Sequence, residues 1–406
     1  TTDGIVTINA NQESGVTDGA GGTITSFELL LLSNMNAAGT FTLDNDGHDV
    51  DELAANTGGD ITFRDDDGLL VDTVAGTMGI STGNGVATGG FVLIDSSNAP
   101  GGTIEVNQPI DTTPPATGGP GMIALSGAVI VDAMITAEGD NVTLRGGAGA
   151  TADMIINVGL QSGQALNLTA PRDVIINALV ETTNAGGTTP DVTITADSDN
   201  NGTGGALITT DGQIISINDA TIQGSDGFNA TFLDETGAAQ TGFAAGTQQV
   251  QIDSDGANNQ VQAVNDITIE RSGSNTPANA DTVINGVVTS SGAGSTVSIE
   301  ANQDIFFGVD GDVSRTDGGA TGLIHVQSDV FDATSTGGVI TMADGAVING
   351  GGHEIEILAD GTLTIGEIIT TDVVNAASIA ANIADADAGA GNDISAAGLA
   401  ISGETG

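Results

Sequence analysis

Short runs in which apolar and polar residues alternate recur from one end of this 406-residue chain to the other. They include TIEVN from Thr103, MIALS from Met122, NVTLR from Asn141, ALNLT from Ala165, DVTIT from Asp191 and IISIN from Ile214. QVQID from Gln249, DITIE from Asp266, TVSIE from Thr296, LIHVQ from Leu323 and EIEIL from Glu354 continue the series. A two-residue alternation is the mark of a strand with one buried face. Most of these runs are followed by a turn and a second strand, as in DMIIN, DVIIN, DTVIN, DIFFG and GAVIN. Two copies superimpose without a gap: Val297 falls on Leu166, Ile299 on Leu168, Asp304 on Asp173, Ile305 on Val174 and Phe307 on Ile176.

A strand-built period of this length signals a solenoid, in which no repeat buries its apolar face alone and each coil stacks on the next. The expectation is an all-β solenoid of about 18 coils of roughly 22 residues. Helical spacing is scarce. Its one plausible place, NAASIAANIADADA from Asn375, is read as strand as well.

Composition agrees with a narrow interior and limits the partners. Aromatics make up 2 % of the chain, and there is no Cys, Trp or Tyr. The cations are five arginines, with no Lys, against 53 acidic residues, for a formal charge of −48. Nothing here could neutralise phosphates, so nucleic acid and anionic membrane surfaces are excluded as partners. Disulfides and lysine-derived crosslinks are impossible. The field of such a chain should draw in cations, divalent ones above all. No stretch is long and apolar enough to span a bilayer; FELLLL at Phe27–Leu32 is short and contains Glu28. No secretion signal opens the chain, and Thr1 begins in strand-like text, as a processed protein or an interior segment would.

FTLDNDGHDVDELAANTGGDITFRDDDGLLVDTVAGTMGISTGNG, from Phe41 to Gly85, resembles a recurrent segment of large filamentous-haemagglutinin-like exoproteins of Gram-negative bacteria. The units from Ala165 and Thr296 are similar to that family's repeats. The resemblance implies a right-handed parallel β-helix and an extracellular or cell-surface location. The family's secretion domain has no counterpart here, which fits a processed body. On this basis residues 1–107 form an N-terminal solenoid part with the haemagglutinin-like segment. Residues 108–121, with four of the eight prolines, are a projecting loop or a seam that cannot be interior strand. Residues 122–370 form the regular solenoid and 371–406 Ala-rich terminal coils. Stretches from Asp234 and Arg271 read as smaller insertions.

Three acidic clusters are candidate calcium sites. DSDNNG places Asp197, Asp199 and Asn201 at ligand spacing with Gly202 at the turn, although Ile208 stands where an EF-hand has its bidentate Glu. Asp44, Asp46 and Asp49 form the second cluster, Asp65 and Asp67 the third. The competing role for each is turn formation, which Asp and Asn favour. GAGND at Gly389–Asp393 fits one unit of a calcium roll, without a second copy to stack on it.

Polysaccharide cleavage is the enzymatic rival. It lacks clustered arginines, since Arg64, Arg145, Arg172, Arg271 and Arg315 are scattered, and it lacks Trp and Tyr platforms for sugars. His48, His325 and His353 are isolated, and the alternation around His325 points it outward. Asn141, Asn167, Asn201 and Asn229 open glycosylation sequons. The expectation is a non-enzymatic extracellular structural protein, a self-assembling subunit of a surface fibre, tube or sheath. The alternative is the shaft of a secreted adhesin that binds glycans or cells.

Overall fold

A computed structural model describes residues 4–403 except 11–14, 34–38, 84–89, 98–101, 113–120, 138, 148–152, 184–190, 226–247, 255, 257–258, 272–279, 318–320, 330–336, 379–382 and 387–392. Every regular element among the described residues is a strand. The chain divides into two compact units, residues 1–171 with 177–191 and residues 172–176 with 192–406. Each is a parallel β-helix.

In the first unit Ile5–Ala10, Thr25–Ser33 and Asp49–Asn56 stack in parallel, with Val6 beside Leu29 and Leu29 beside Leu53. The ladder then divides. Glu52 and Leu53 pair with Leu70 and Val71, whereas Ala55 and Asn56 pair with Ile80 and Ser81. A third ladder runs Phe41, Ile61, Val92, Ile123, Val142, Leu166, one residue per coil. The second unit repeats the plan, its third ladder running Val192, Ala220, Ile267, Val297, Ile324, Ile355, Val374. From the point where the ladder divides, each coil contributes three short strands joined by turns, whereas the coils before it contribute two. This third ladder has seven strands in the first unit and eight in the second among the described residues.

That makes 15 coils where roughly 18 were expected. Coils vary in length because the turns absorb insertions while the strands stay in register: Ile123 and Val142 are adjacent-coil partners, and so are Ala220 and Ile267. The proline-rich segment also departs from expectation. Ile110–Asp111 is a strand paired on both sides, and Ile110 is fully buried. Pro109 precedes it and supplies only a carbonyl, to the Ile80 N–H, so its missing donor costs the ladder nothing. The stretch from Asn375 holds the strands Val373–Ser378 and Ile383–Asp385. The insertion from Asp234, most of that from Arg271, Asn229 and most of Gly389–Asp393 lie outside the described residues.

Alternation sets the core. In Val297 and Ile299, or Leu166 and Leu168, the apolar side chains point inward and are fully buried between the coils above and below. Burying each such side chain stabilises the fold by about 1.5–3 kcal/mol. The interior is narrow, and Phe41, Phe63 and Phe307 are among its largest occupants. One hairpin breaks the parallel plan: Thr73–Val74 pairs antiparallel with Thr77–Met78. Ala75 (φ 49°) and Gly76 (φ 84°) supply the left-handed residues that a tight turn of this kind needs. The hairpin places Val74 over Leu30 and Ala54, forming a small apolar cluster with the partly buried Leu32.

The recurrent Asp ahead of a strand has a defined task. Asp60 accepts the Phe91 N–H (3.0 Å), Asp173 that of Gly205 (2.9 Å) and Asp266 that of Thr296 (2.7 Å). Asp304 accepts from Val339 (2.7 Å) and Asp312 from Val347 (2.9 Å). In each case the acceptor opens one coil's strand and the donor opens its partner in the next coil. Asn141 does the same for Ala165 (3.0 Å). Asn following a strand is used similarly: Asn177 donates to Asn157 (2.7 Å), which donates to Asp132 (2.8 Å).

Hydroxyls fasten the turn ahead of the third-ladder strand, the turn that Asp60, Asp266 and Asn141 also serve. Thr82 donates to the Gly90 carbonyl (2.6 Å), Thr112 to that of Gly121 (2.6 Å) and Ser162 to that of Asp140 (2.7 Å). In the second unit Ser216 bonds within its own turn, to the Asp219 carbonyl, while Ser290 and Thr370 reach back to the preceding coil's turn, at the Asn265 and His353 carbonyls. Gly90 and Gly121 are required there, because a Cβ on Gly121 would lie 2.2 Å from the Gly90 carbonyl oxygen.

Leu168→Ala and Ile299→Ala, at equivalent inward positions, should each lose about 2–5 kcal/mol. Asn167→Ala, whose side chain points outward, should change stability by no more than about 0.5 kcal/mol. Urea midpoints of the three variants check the assignment of the faces.

Candidate functional site

The three sequence-derived acidic clusters fold into turns. In the cluster of Asp44, Asp46 and Asp49, Arg64 pairs with Asp46 and with Asp95 (3.1 Å), while Asp44 and Asp49 are exposed. Beside them His48 is fully buried. Its Nδ1 accepts the Ile24 N–H (2.9 Å), so Nε2 carries a proton and donates it to Asp18 (3.0 Å). The ring stacks on Phe63, with centroids 5.6 Å apart.

Asp65 is the most enclosed acid of the candidates. One carboxylate oxygen accepts the Val50 N–H (3.0 Å), the other those of Gly68 (2.9 Å) and Asp67 (3.3 Å). Burial pushes its carboxyl up to about 6, against the opposing pull of those three donors. Asp67 lies instead on a shallow groove with Asp51, Leu70, Thr103 and Glu105.

In the DSDNNG loop Asp197 is buried and accepts N–H groups from Asn201 (2.9 Å) and Gly202 (3.2 Å). Asp199 accepts the Asn201 side-chain amide (2.9 Å), and Asn201 in turn accepts the Thr203 N–H (2.8 Å). Asp197 (φ 52°), Asn200 (φ 56°) and Gly202 (φ 86°) give the loop its tight, left-handed path. Burial raises the Asp197 carboxyl above its ordinary range. The residues are brought together as expected, but their oxygens face the loop's own donors. Among the described residues no group of three or more His, Asp or Glu side chains has the arrangement of a metal site.

A buried charge cluster in the second unit was not anticipated. Arg315 stands where other coils put the corner hydroxyl, directly beside Ser290. Its side chain is fully enclosed, with Nη2 donating to Asp317 (2.7 Å) and to the Gly292 carbonyl (3.2 Å). His353, from the following coil, reaches the same Asp317 oxygen through Nε2 (3.0 Å). Arg315 Nε and Nη1 and His353 Nδ1 lack a partner among the described residues. Burial lowers the Arg315 pKa, opposed by the charges of Asp317 and Asp266. A signal was present: Val313 faces inward, so the residue two positions on must face inward too. His325 is on the outer face as expected, bonded to Glu356 (2.9 Å) and Gln327 (3.2 Å).

The outer surface carries stacked polar groups. Glu28 pairs across coils with Glu52, whose carboxyl is raised by burial first and then by Glu28, Asp72 and Asp51. A second groove, in the second unit, is lined by Val287 and Val347 with Asn259, Thr289, Ser314, Thr316 and Asn349 around them. No family model matches this chain, and no curated protein or solved structure matches it either.

Gly322 (φ 145°) closes over Arg315, and a Cβ there would lie 1.6 Å from Nη1. Gly322→Ala should therefore destabilise the second unit by about 1–3 kcal/mol. A lowered urea midpoint, with Gly19→Ala as a comparison where a Cβ meets open space, tests this packing.

Proposed function

We propose that this protein is a non-enzymatic structural subunit of an extracellular fibre, tube or sheath. The observation that carries the reading is the coil-on-coil stacking itself. Each described coil buries its inward apolar residues against the next, and the outward positions carry Thr, Asn, Gln, Asp and Glu together with half-buried aliphatic residues such as Leu70, Ile130, Ile155, Ile175 and Leu207. Such a stack supports load along its ladders and offers a repetitive exterior, polar with stacked aliphatic residues between, for lateral contacts.

Edge pairing is available for growth. Ile5 and Leu399, in the outermost described strands, are each about half exposed. Strands with an open edge accept another strand, from more of the same chain or from a second copy. Lateral association must bring together surfaces with stacked carboxylates such as Glu28 and Glu52. With a formal charge of −48 per chain, close approach calls for counter-ions, and calcium is the natural candidate. It would act as a diffuse bridge between copies as well as at any single loop.

The groove over Val287 and Val347 favours a second reading, the shaft of an adhesin. Hydroxyl, amide and carboxylate groups set over aliphatic side chains suit a glycan.

Electron microscopy of the native material, with and without a chelator at low salt, should show filaments or tubes that loosen when divalent ions are removed. Short isolated particles at every concentration would overturn the self-assembling subunit. A glycan array would then test the adhesin shaft, and depolymerisation of an acidic polysaccharide would overturn the non-enzymatic role itself.

A further inference from the structure

Four Asn–Gly steps occur in the chain, at Asn84, Asn201, Asn285 and Asn349, and the structure equips one of them for a reaction. An Asn followed by Gly can close on itself: the Gly nitrogen attacks the Asn side-chain carbonyl carbon, and no Cβ obstructs the approach. The reaction needs a base for the Gly N–H, donors for the oxygen that becomes negative, and water afterwards. At Asn201 the DSDNNG loop supplies each of these. The Gly202 N–H points at both oxygens of the Asp197 carboxylate (3.2 Å each). Asn201 Oδ1 accepts the Thr203 N–H (2.8 Å) and the Thr203 hydroxyl. An oxygen held by the N–H two residues on folds the side chain back over its own following peptide, which brings Cγ beside the Gly202 nitrogen. Asn201 and Thr203 are exposed, so water has access, whereas Asp197 and Gly202 are buried. Burial also raises the Asp197 carboxyl above its ordinary range, which makes it a stronger base.

The other described steps lack this equipment. Asn285 is buried, the Gly286 N–H goes to the Ile252 carbonyl (3.1 Å), and Asn285 Oδ1 has no donor among the described residues. Asn349 Oδ1 accepts only the Gly351 N–H (2.9 Å) among the described residues. Asn84 lies outside them.

We propose that Asn201 is a self-modification site, at which the loop closes the Asn201 side chain onto the Gly202 nitrogen and converts Asn201 to aspartate or isoaspartate. The Gly202 nitrogen forms a bond to Asn201 Cγ and gives its proton to Asp197. The carbonyl π pair moves to Oδ1, where the Thr203 donors hold it. When that pair returns, the Cγ–Nδ2 bond breaks. Nδ2 takes up the proton, passed from Asp197 through Asp199, and leaves as ammonia; Asp199 interacts with Asp197 and accepts from Nδ2 (2.9 Å). Water then opens the cyclic imide at either carbonyl, which gives an aspartyl or an isoaspartyl residue. The outcome exchanges a neutral amide for a further carboxylate beside Asp197 and Asp199. The role does not depend on the protein's being a fibre subunit.

Peptide mapping by mass spectrometry during incubation at neutral pH tests this, with the wild-type protein folded in one sample and unfolded in urea in another. Folded, Asn201 should convert at least about tenfold faster than unfolded, and Asn285 should show the opposite order. Asp197→Asn keeps an oxygen for the Gly202 N–H but is no base, and should slow folded-state conversion about tenfold or more. Thr203→Ala, at an exposed residue, should slow it as well. A folded Asn201 that converts no faster than the unfolded chain would overturn the proposal, as would a wild-type rate in Asp197→Asn. Should Asp197→Asn not fold, the wild-type comparison and Thr203→Ala decide. A glycan on Asn201 Nδ2 in the native material would overturn it too.

Discussion

The parallel main-chain pairing between one coil and the next is what everything else in this molecule depends on. A parallel ladder leaves every strand's N–H and C=O groups committed to its two neighbours, and the turns must then deliver each new strand in register. Register is critical because a slip of one residue would turn the inward face outward. Here the delivery is fixed by side chains. Asp60, Asp173, Asp266, Asp304 and Asp312 each hold the first N–H of the following coil's strand. Hydroxyls beside them fasten the turn itself, as Thr82 does, or reach the preceding coil's turn, as Thr370 does.

Much of the fold was legible because those devices are written locally. The gapless match of Thr296–Gly308 on Ala165–Asn177 proves to be a match of roles: Asp304 and Asp173 make the same bond to the next coil, and Phe307 and Ile176 fill the same inward position. Turns were harder to read. Their length does not affect the ladder, so spacing alone did not give the 15 coils seen among the described residues, and Pro109 could stand beside a paired strand without harm.

Less of the candidate site could be read, for a chemical reason. Asp and Asn serve a tight turn and a calcium ion with the same oxygens, so spacing cannot distinguish the two uses. At Asp65 and Asp197 those oxygens meet backbone donors. The Arg315–Asp317–His353 cluster escaped notice because its members come from two coils and a buried arginine is rare. The alternation of Val313 and Arg315 would have placed the guanidinium inside. A buried ion pair of this type adds little stability over a hydrophobic equivalent, yet breaking it is costly. It marks one coil as different from its neighbours in an otherwise repetitive stack.

Acidity and repetition together shape the functional reading. A chain without Cys or Lys has no disulfide or lysine crosslink to stiffen it, and this one is held by hydrogen bonds and close packing of small aliphatic residues. On the proposed reading, its formal charge of −48 keeps copies apart unless counter-ions intervene. Growth and cohesion of an assembly would then follow the ionic composition of the medium, which suits a surface structure bathed in salt water.

Native-state hydrogen exchange of Asp173→Ala and Asp304→Ala would test the coil-joining bonds most directly. The account predicts faster exchange at the Gly205 amide in the first variant and the Val339 amide in the second, with the inner strand amides of the same coils still protected. Unchanged protection at both amides would contradict it, since the aspartates would then be ordinary turn residues with no hold on the next coil.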